Sequence, residues 1–531
     1  MKNFASFLLI LIISMSLFLT ACEETPVIAN IPEDEQILDE SPKYVYLNNK
    51  PVALTLWSWQ VTTPEIAQQY VDLLKKNNFN TVDFCVVWDK IESERDVFNF
   101  AYFDAIMDVF VKNELEISLS LLFWSSKLSW KDELDLQYTD NEILYVFDDF
   151  RGSFLSMNSQ NNKKIIENTL LTFAQHANER YKNNILRWHI RTNCFGDLEY
   201  SPVTHLDYSE SEFNAFFDFL LKTYTNIETF NSKNHQSYAS WDELRIVEKT
   251  ELTRIYAFDW KIFKQESVIN MANLSRDIFK AVNPNIPIAM QVGCFWDSSA
   301  AFYRGIFDQY TVSKKSNVDI LHIDDALGWD HYFSTDIATS LTEIDLAMQV
   351  NGAWSPNEKH DDYLKQAEIA GMSDFAYLNT SNWNIEDLQK YGDDYLSKMN
   401  VMFNNAKMRD LADQTDVLMI NTLNFILCEP PIDLYVVLQR AYNNVSGSDK
   451  KRVRFITDTM IMDNPEILDG IKKIHIGKLD DIIFMYNDVA EILSQNNVKI
   501  ICDSIMVPNF LNEYKMPIDD DIQEILRKRL S

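Results

Sequence analysis

Trp188-His-Ile-Arg-Thr-Asn-Cys-Phe-Gly-Asp-Leu-Glu-Tyr-Ser-Pro202 begins as a strand and ends as a loop that carries Asp197 and Glu199. A buried parallel strand that releases polar and acidic residues at its C-terminal end is how α/β barrels present their chemistry. The fold of the whole chain turns on how many such strands flank this one.

Three apolar runs precede it, at 52–59, 81–88 and 117–124, so the run at 185–191 is the fourth strand. Four more follow at 286–292, 318–323, 344–350 and 375–378. Amphipathic helical patterns lie between them, at 64–77, 103–113, 163–181 and 361–370. The strands are near-continuous apolar runs rather than alternating ones, as parallel strands buried on both faces are. Eight strand–helix units in this order predict an α/β fold, a (β/α)8 TIM barrel over residues 45–410. The connection over 200–285 is far longer than ordinary loops of this kind. A helix near 210–225 and a polar stretch at 231–240 are expected there, as a wall or lid over the barrel mouth.

The pattern changes at 415–531. Strands are expected at 416–420, 453–456, 474–476 and 498–502, with helices at 434–442 and 482–495. This is a smaller α/β domain, and no phosphate loop opens it.

Many barrel strands run into tryptophan: Trp57 and Trp59, Trp88, Trp124, Trp296, Trp329, Trp354 and Trp383. Aromatic faces stack on the apolar faces of sugar rings, so a ring of them at one mouth points to an oligo- or polysaccharide ligand. The net charge of −31 repels polyphosphate, so nucleic acid is not an expected partner. It also disfavours polyanionic glycans unless a local basic patch overrides it, and a neutral oligosaccharide is the expected occupant. The six cysteines, Cys22, Cys85, Cys194, Cys294, Cys428 and Cys502, contain no Cys-x-x-Cys pair and no zinc spacing with histidine. No disulfide framework, metal or cofactor is expected.

Residues 1–22 have a positive start at Lys2, an apolar centre and the ending Leu19-Thr20-Ala21-Cys22. This is a secretory signal pattern. Its last four residues resemble the lipobox of bacterial lipoproteins, which implies lipidation of Cys22. Glu23 and Glu24 resemble the surface-export signal of Bacteroidota lipoproteins. The expected location is the cell envelope, lipid-anchored in the outer membrane and facing outward. Residues 23–44 are acidic with three prolines, which suits a flexible tether.

Trp88-Asp-Lys-Ile-Glu92, Val97-Phe-Asn-Phe100 and Phe103-Asp104 resemble the second-strand signature of clan A β-galactosidases, above all glycoside hydrolase family 42. The Trp188 strand, the segment 348–354 and the order of barrel then flavodoxin-like or glutamine-amidotransferase-like domain fit the same family. The resemblance implies polysaccharide degradation and, because the second domain of that family builds a trimer, a homotrimer.

The resemblance also implies a catalytic pair that this chain lacks. The family acid/base Glu follows an Asn after the fourth strand, five residues after a Trp. Counting from Trp188 reaches Asn193, and keeping the Asn puts Cys194 at the Glu. The family nucleophile follows a Met on the seventh strand, and here Met348 is followed by Gln349. An amide binds sugar hydroxyls but forms no glycosyl ester. Gly196-Asp-Leu-Glu-Tyr200 with Pro202 resembles the motif that carries the general acid of β-amylases, an inverting group, and places Asp197 at the acid. A water-activating base is then expected after the sixth strand, at Asp324 or Asp325. Asn193, Gln349, Arg191, Trp57, Trp88, Trp124, Trp296, Trp354 and Trp383 are the expected sugar contacts. Two readings follow: a glycoside hydrolase of altered mechanism, or a non-catalytic glycan-binding lipoprotein on a degenerate hydrolase barrel.

Overall fold

The computed structural model describes residues 46–505 apart from 48–49, 194–195, 202–203, 235, 297–302, 326–329, 351–364, 366–367, 370–371, 373–376, 381–383, 406, 423–433, 480–484 and 497. Cys22, with the signal and tether, lies outside the described residues.

The barrel strands are β2 (Lys50–Trp57), β3 (Thr81–Val87), β4 (Glu116–Leu122), β5 (Ile185–Ile190), β6 (Ile288–Val292), β7 (Ile320–Asp325), β8 (Asp345–Val350) and β9 (Tyr377–Thr380). Each pairs in parallel with the next, and β9 returns to β2 in the register Val52↔Leu378, so the sheet closes. A two-residue strand β1 (Tyr46–Leu47) runs antiparallel to β2 outside the ring. The fourth, sixth and seventh barrel strands are thus β5, β7 and β8.

The connecting helices follow from local sequence. In Pro64–Lys76, Thr63 caps the N-terminus, Pro64 opens the first turn, and Lys75 and Lys76 meet the negative C-terminal end. Ala67, Tyr70, Val71 and Leu74 form its buried stripe, at the spacing of one helix face. Helices Ala101–Lys112 and Gln160–Tyr181 repeat the pattern, the latter capped by Ser159.

The long connection after β5 holds more helix than its polar character suggests. Glu210–Tyr224, Ile227–Asn234, Trp241–Arg245, Lys249–Ile255 and Ala257–Val282 follow one another, so helix enters the polar stretch expected at 231–240. These helices close on an aromatic core of their own that includes Phe213, Phe216, Phe230, Trp260 and Phe263. Burial of these aromatics outweighs the polar residues between them. The last helix packs along Gln160–Tyr181 on the outside of the barrel.

The second sheet comprises β10 (Asp416–Ile420), β11 (Phe455–Thr457), β12 (Lys473–Leu479) and β13 (Lys499–Ile505), all parallel, in the order β11-β10-β12-β13. Along β10 the side chains alternate between two cores. Val417 and Met419 pack with Ile456, Ile474 and Val489, whereas Leu418 and Ile420 join the cluster continuous with the barrel. Asp336 on the barrel helix His331–Ser340 pins the junction. It is buried, ion-paired to Arg409, and accepts from Tyr442 Oη at 2.8 Å and Val453 N at 2.9 Å.

Candidate active site

Alternation along the strands places one set of side chains inside the barrel. At the bottom these are Ala289, Ile320 and Ala347, a small apolar cluster. The next residues on the same faces are polar: Gln291, His322 and Gln349. Asp324 shares its face of β7 with Ile320 and His322. Thr55, Asp83, Arg187 and His189 supply the same interior from β2, β3 and β5.

Asp83 organises this interior. Burial would raise its pKa, but Arg191 at 2.6 Å, His189 at 3.3 Å and the charge of Arg187 hold the carboxyl well below the usual carboxylate range. Burial, then the charge of Arg191, pushes His189 down to about 3, and His322 is also held well below its ordinary value by burial. Both rings are therefore neutral. An ionised Asp83 only accepts, so His189 Nδ1–H donates to it, and His322 Nδ1–H then donates to His189 Nε2 at 3.0 Å. Burial pushes the Cys85 thiol, which accepts from Arg191, up to about 12, so it remains an unreactive part of the packing.

Arg191 was expected to touch sugar. It is buried in this interior instead, because the Asp83 carboxylate draws the guanidinium inward. Its face also lies over the Trp57 ring, 5.7 Å from the centroid.

The loop after β5 turns on Asn193. Asn193 Oδ1 accepts from the N–H groups of Gly196 and Asp197, each at 3.0 Å, and its Nδ2 donates to Glu199 O at 3.0 Å. This is an Asx-type turn. Asn193 thus shapes the loop rather than standing ready for sugar. Gly196 adopts φ +100° with its α-carbon against the Trp57 ring, where a β-carbon would lie 2.7 Å from Cη2. Only glycine meets both demands.

The turn delivers Asp197 to the top of the barrel with 8% of its surface exposed. Gln291 Nε2 donates to Asp197 Oδ1 at 2.8 Å and lies 3.4 Å from Gln349 Oε1. One amide on β6 therefore brackets the strand-four acid and the strand-seven amide. Gln291 Oε1 is buried and has no partner among the described residues. Burial raises the pKa of Asp197, against the opposing effects of Arg304, the Gln291 hydrogen bond and Arg191. Gln291 escaped the sequence reading because a glutamine inside an apolar run carries no motif. Glu199 is committed elsewhere: it accepts from Gly293 N at 2.8 Å and faces Arg304 at 3.6 Å.

Asp324 is half-buried and pairs in register with Gln349 across β7 and β8. Asp325 pairs through its backbone with Val350, and its side chain lies outside the described residues, as do Cys194, Trp329, Trp354 and Trp383. Among the described residues no group of three or more His, Cys, Asp or Glu could hold a metal ion.

The tryptophans divide. Trp88 and Trp296 are 0% exposed and belong to the core, so neither offers a face to sugar. Trp88 Nε1 donates to buried Glu92 at 2.8 Å, which draws the ring inward. Trp57 and Trp124 are also buried, but they flank Trp59. Trp57 stacks on Trp59, and Trp59 on Trp124, each with centroids 4.5 Å apart. The half-buried Trp59 presents this stack at the mouth.

The model of glycoside hydrolase family 42, described as beta-galactosidase, matches residues 57–121 and 151–383, more than half of the chain. The chain belongs to glycoside hydrolase family 42. Among curated members, Beta-galactosidase Pbg of Clostridium perfringens is 26% identical over 287 residues, 51% of this chain and 37% of that protein. The chain spans about a third of the length of the curated relatives it matches. Two solved structures share the fold. The beta-galactosidase from Bacillus circulans sp. alkalophilus superposes with a TM-score of 0.64 at 13% identity, covering 85% of this chain and 70% of its own. The catalytic domain of beta-amylase from Paenibacillus polymyxa gives 0.53 at 14% identity, covering 67% of this family 42 chain and 99% of its own.

Proposed function

We propose that this family 42 protein hydrolyses a galactoside-containing oligo- or polysaccharide with inversion of configuration. The observation that carries the reading is the pairing of a buried Asp197 on the loop after β5 with an amide, Gln349, on β8. Asp197, whose pKa burial raises, donates its proton to the glycosidic oxygen as the bond to the anomeric carbon breaks. Asp324, one strand from Gln349, takes a proton from the water that attacks the opposite face of the sugar. Gln349 and the unpaired Gln291 Oε1 hold sugar hydroxyls. Asp197→Asn tests this: turnover should fall by at least about a thousandfold with glycan affinity retained. Full activity in that variant would contradict the assignment.

The same Gln349 amide supports a second reading, a glycan-binding protein without turnover. A wild type that binds galactosides and cleaves none would decide for it.

Two further features belong to the proposal. Cys22 carries the lipid that anchors the protein in the outer membrane, and Cys22→Ser should move it to the soluble fraction. The domain from residue 415 onward assembles a homotrimer, to be read by light scattering, and a monomer would contradict it.

A further inference from the structure

We propose that the groove beside Trp59 is a subsite for an acidic sugar unit, one bearing a sulfate ester or a carboxylate. The proposal rests on the glycan-active reading above and assigns a substrate class to it.

The groove encloses about 200 Å³ and is lined by Trp59, Trp124, Phe150, Lys90, Lys127 and Asp89, among others. Trp59 follows β2, Lys90 ends the turn after β3, and Lys127 lies on the loop after β4. These are the C-terminal strand ends of the barrel, the same mouth that receives Asp197 from β5. Packing joins the two places: Gly196, next to Asp197, lies on Trp57, and Trp57 stacks on Trp59.

The aromatic surface is built in place. Phe150 is 41% exposed and stands edge-on to Trp59 and Trp124, at 5.8 and 5.2 Å between centroids. Its carbonyl accepts from Ser126 Oγ at 2.5 Å, and its N–H donates to Asp148 Oδ1 at 2.9 Å. Gly152 closes the turn at φ +88°, with its α-carbon so near Ser125 and Ser126 that a β-carbon would lie 2.8 Å from Ser126 N. An exposed phenyl ring fixed by its own turn suits the apolar face of a sugar.

The charge of the groove opposes that of the protein. The chain carries −31, yet two lysines and one carboxylate line this groove. Lys90 Nζ lies 5.2 Å from the Tyr102 ring centroid and Lys127 Nζ 5.1 Å from that of Phe150. Among the described residues neither ammonium has a carboxylate within 4.0 Å. Two ammonium groups resting on aromatic faces, each with hydrogens left to donate, are the donors an anionic substituent needs. The acidic surface repels such a glycan at long range, so recognition must come from cations placed at the site. Among the described residues Asp89 is the one carboxylate that faces both lysines, so a neutral sugar leaves one positive charge of the groove unmatched and an anionic substituent matches it.

Calorimetry on the full chain tests the proposal with three probes of equal length: a sulfated galactan oligosaccharide, its desulfated counterpart and an oligogalacturonate. At low salt the wild type should bind one of the anionic probes about tenfold tighter than the desulfated one. The tighter of the two anionic probes identifies sulfate or carboxylate as the recognised group. In Lys90→Gln/Lys127→Gln that ratio should fall to about one, and salt should lower it in the wild type. An unchanged melting temperature of the variant excludes misfolding. Equal affinity for charged and neutral probes, or a ratio that survives the double substitution, overturns the subsite. If such a protein still cleaves the desulfated probe, the hydrolase reading stands without the subsite. A lysine-dependent ratio without cleavage of any probe keeps the subsite and overturns the hydrolase reading.

Discussion

Gln291 donates its amide to the carboxylate of Asp197 at 2.8 Å, from β6, the strand next to the one whose loop carries the acid. A donor at that distance favours the ionised form of Asp197, while burial favours the protonated one, and burial prevails. The working pH range of the proposed acid is set by this opposition. In Gln291→Leu the opposing donor is gone, so the pKa of Asp197 rises further. An acid donor loses activity as pH rises through its pKa, so the alkaline limb of kcat against pH should move to higher pH. A limb that stays in place would mean that another group titrates in the reaction.

Trp59 and Trp88 lie at adjacent strand ends and should respond in opposite ways. Trp59→Ala removes the half-buried platform of the stack and should cost about 1–3 kcal/mol of glycan affinity with little change in stability. Trp88→Phe removes the donor to buried Glu92 and should cost about 1–3 kcal/mol of stability with affinity retained. Calorimetric binding and thermal melting separate the two. A loss of affinity confined to Trp88→Phe would reverse the assignment.

Glu212 gives the fold a pH dependence of its own. It is buried on the helix Glu210–Tyr224 and accepts from Tyr200 Oη and from Asn158 Nδ2. Burial, then the charge of Asp207, pushes its carboxyl up from 4.5 to about 8. Between about pH 5 and 7 the folded chain keeps a proton here that the unfolded chain has released, so this group lowers stability as pH rises. Lys264 alongside is pushed down to about 7, chiefly by burial, so in the folded chain it begins to release its proton only at the top of that window, and the comparison with Glu212→Gln isolates the contribution of Glu212. Thermal melts should show the wild type losing on the order of a few degrees more than Glu212→Gln from pH 5 to 7. Parallel melting curves would show that Glu212 is ionised in the folded chain.

The strands were legible because burial on both faces leaves a continuous apolar run. All seven residues of β3 are buried, and β6 reads the same way. That same rule hid Gln291: inside Ile288–Val292 it looks like core, and only the pairing of β6 with β5 brings it to Asp197. Asn193 and Arg191 had the right chemistry for sugar contacts, but the nearest partners won. The Gly196 and Asp197 amides took Asn193, and Asp83 took Arg191. The tryptophans were visible as a set, yet sequence position does not tell a ring that faces solvent from one that faces Glu92. Lys90 comes from the connection after β3, and Lys127 and Phe150 from distant parts of the connection after β4, with no common motif, so their groove exists only in the fold.

In the proposed reaction Asp197 works without a nucleophile on β8. Anomeric NMR of the first product formed by the wild type reads this directly. A sugar released with inverted configuration is the expected result, because the amide of Gln349 forms no covalent intermediate. A product with retained configuration would require a nucleophile in the site and would rule out the inverting mechanism.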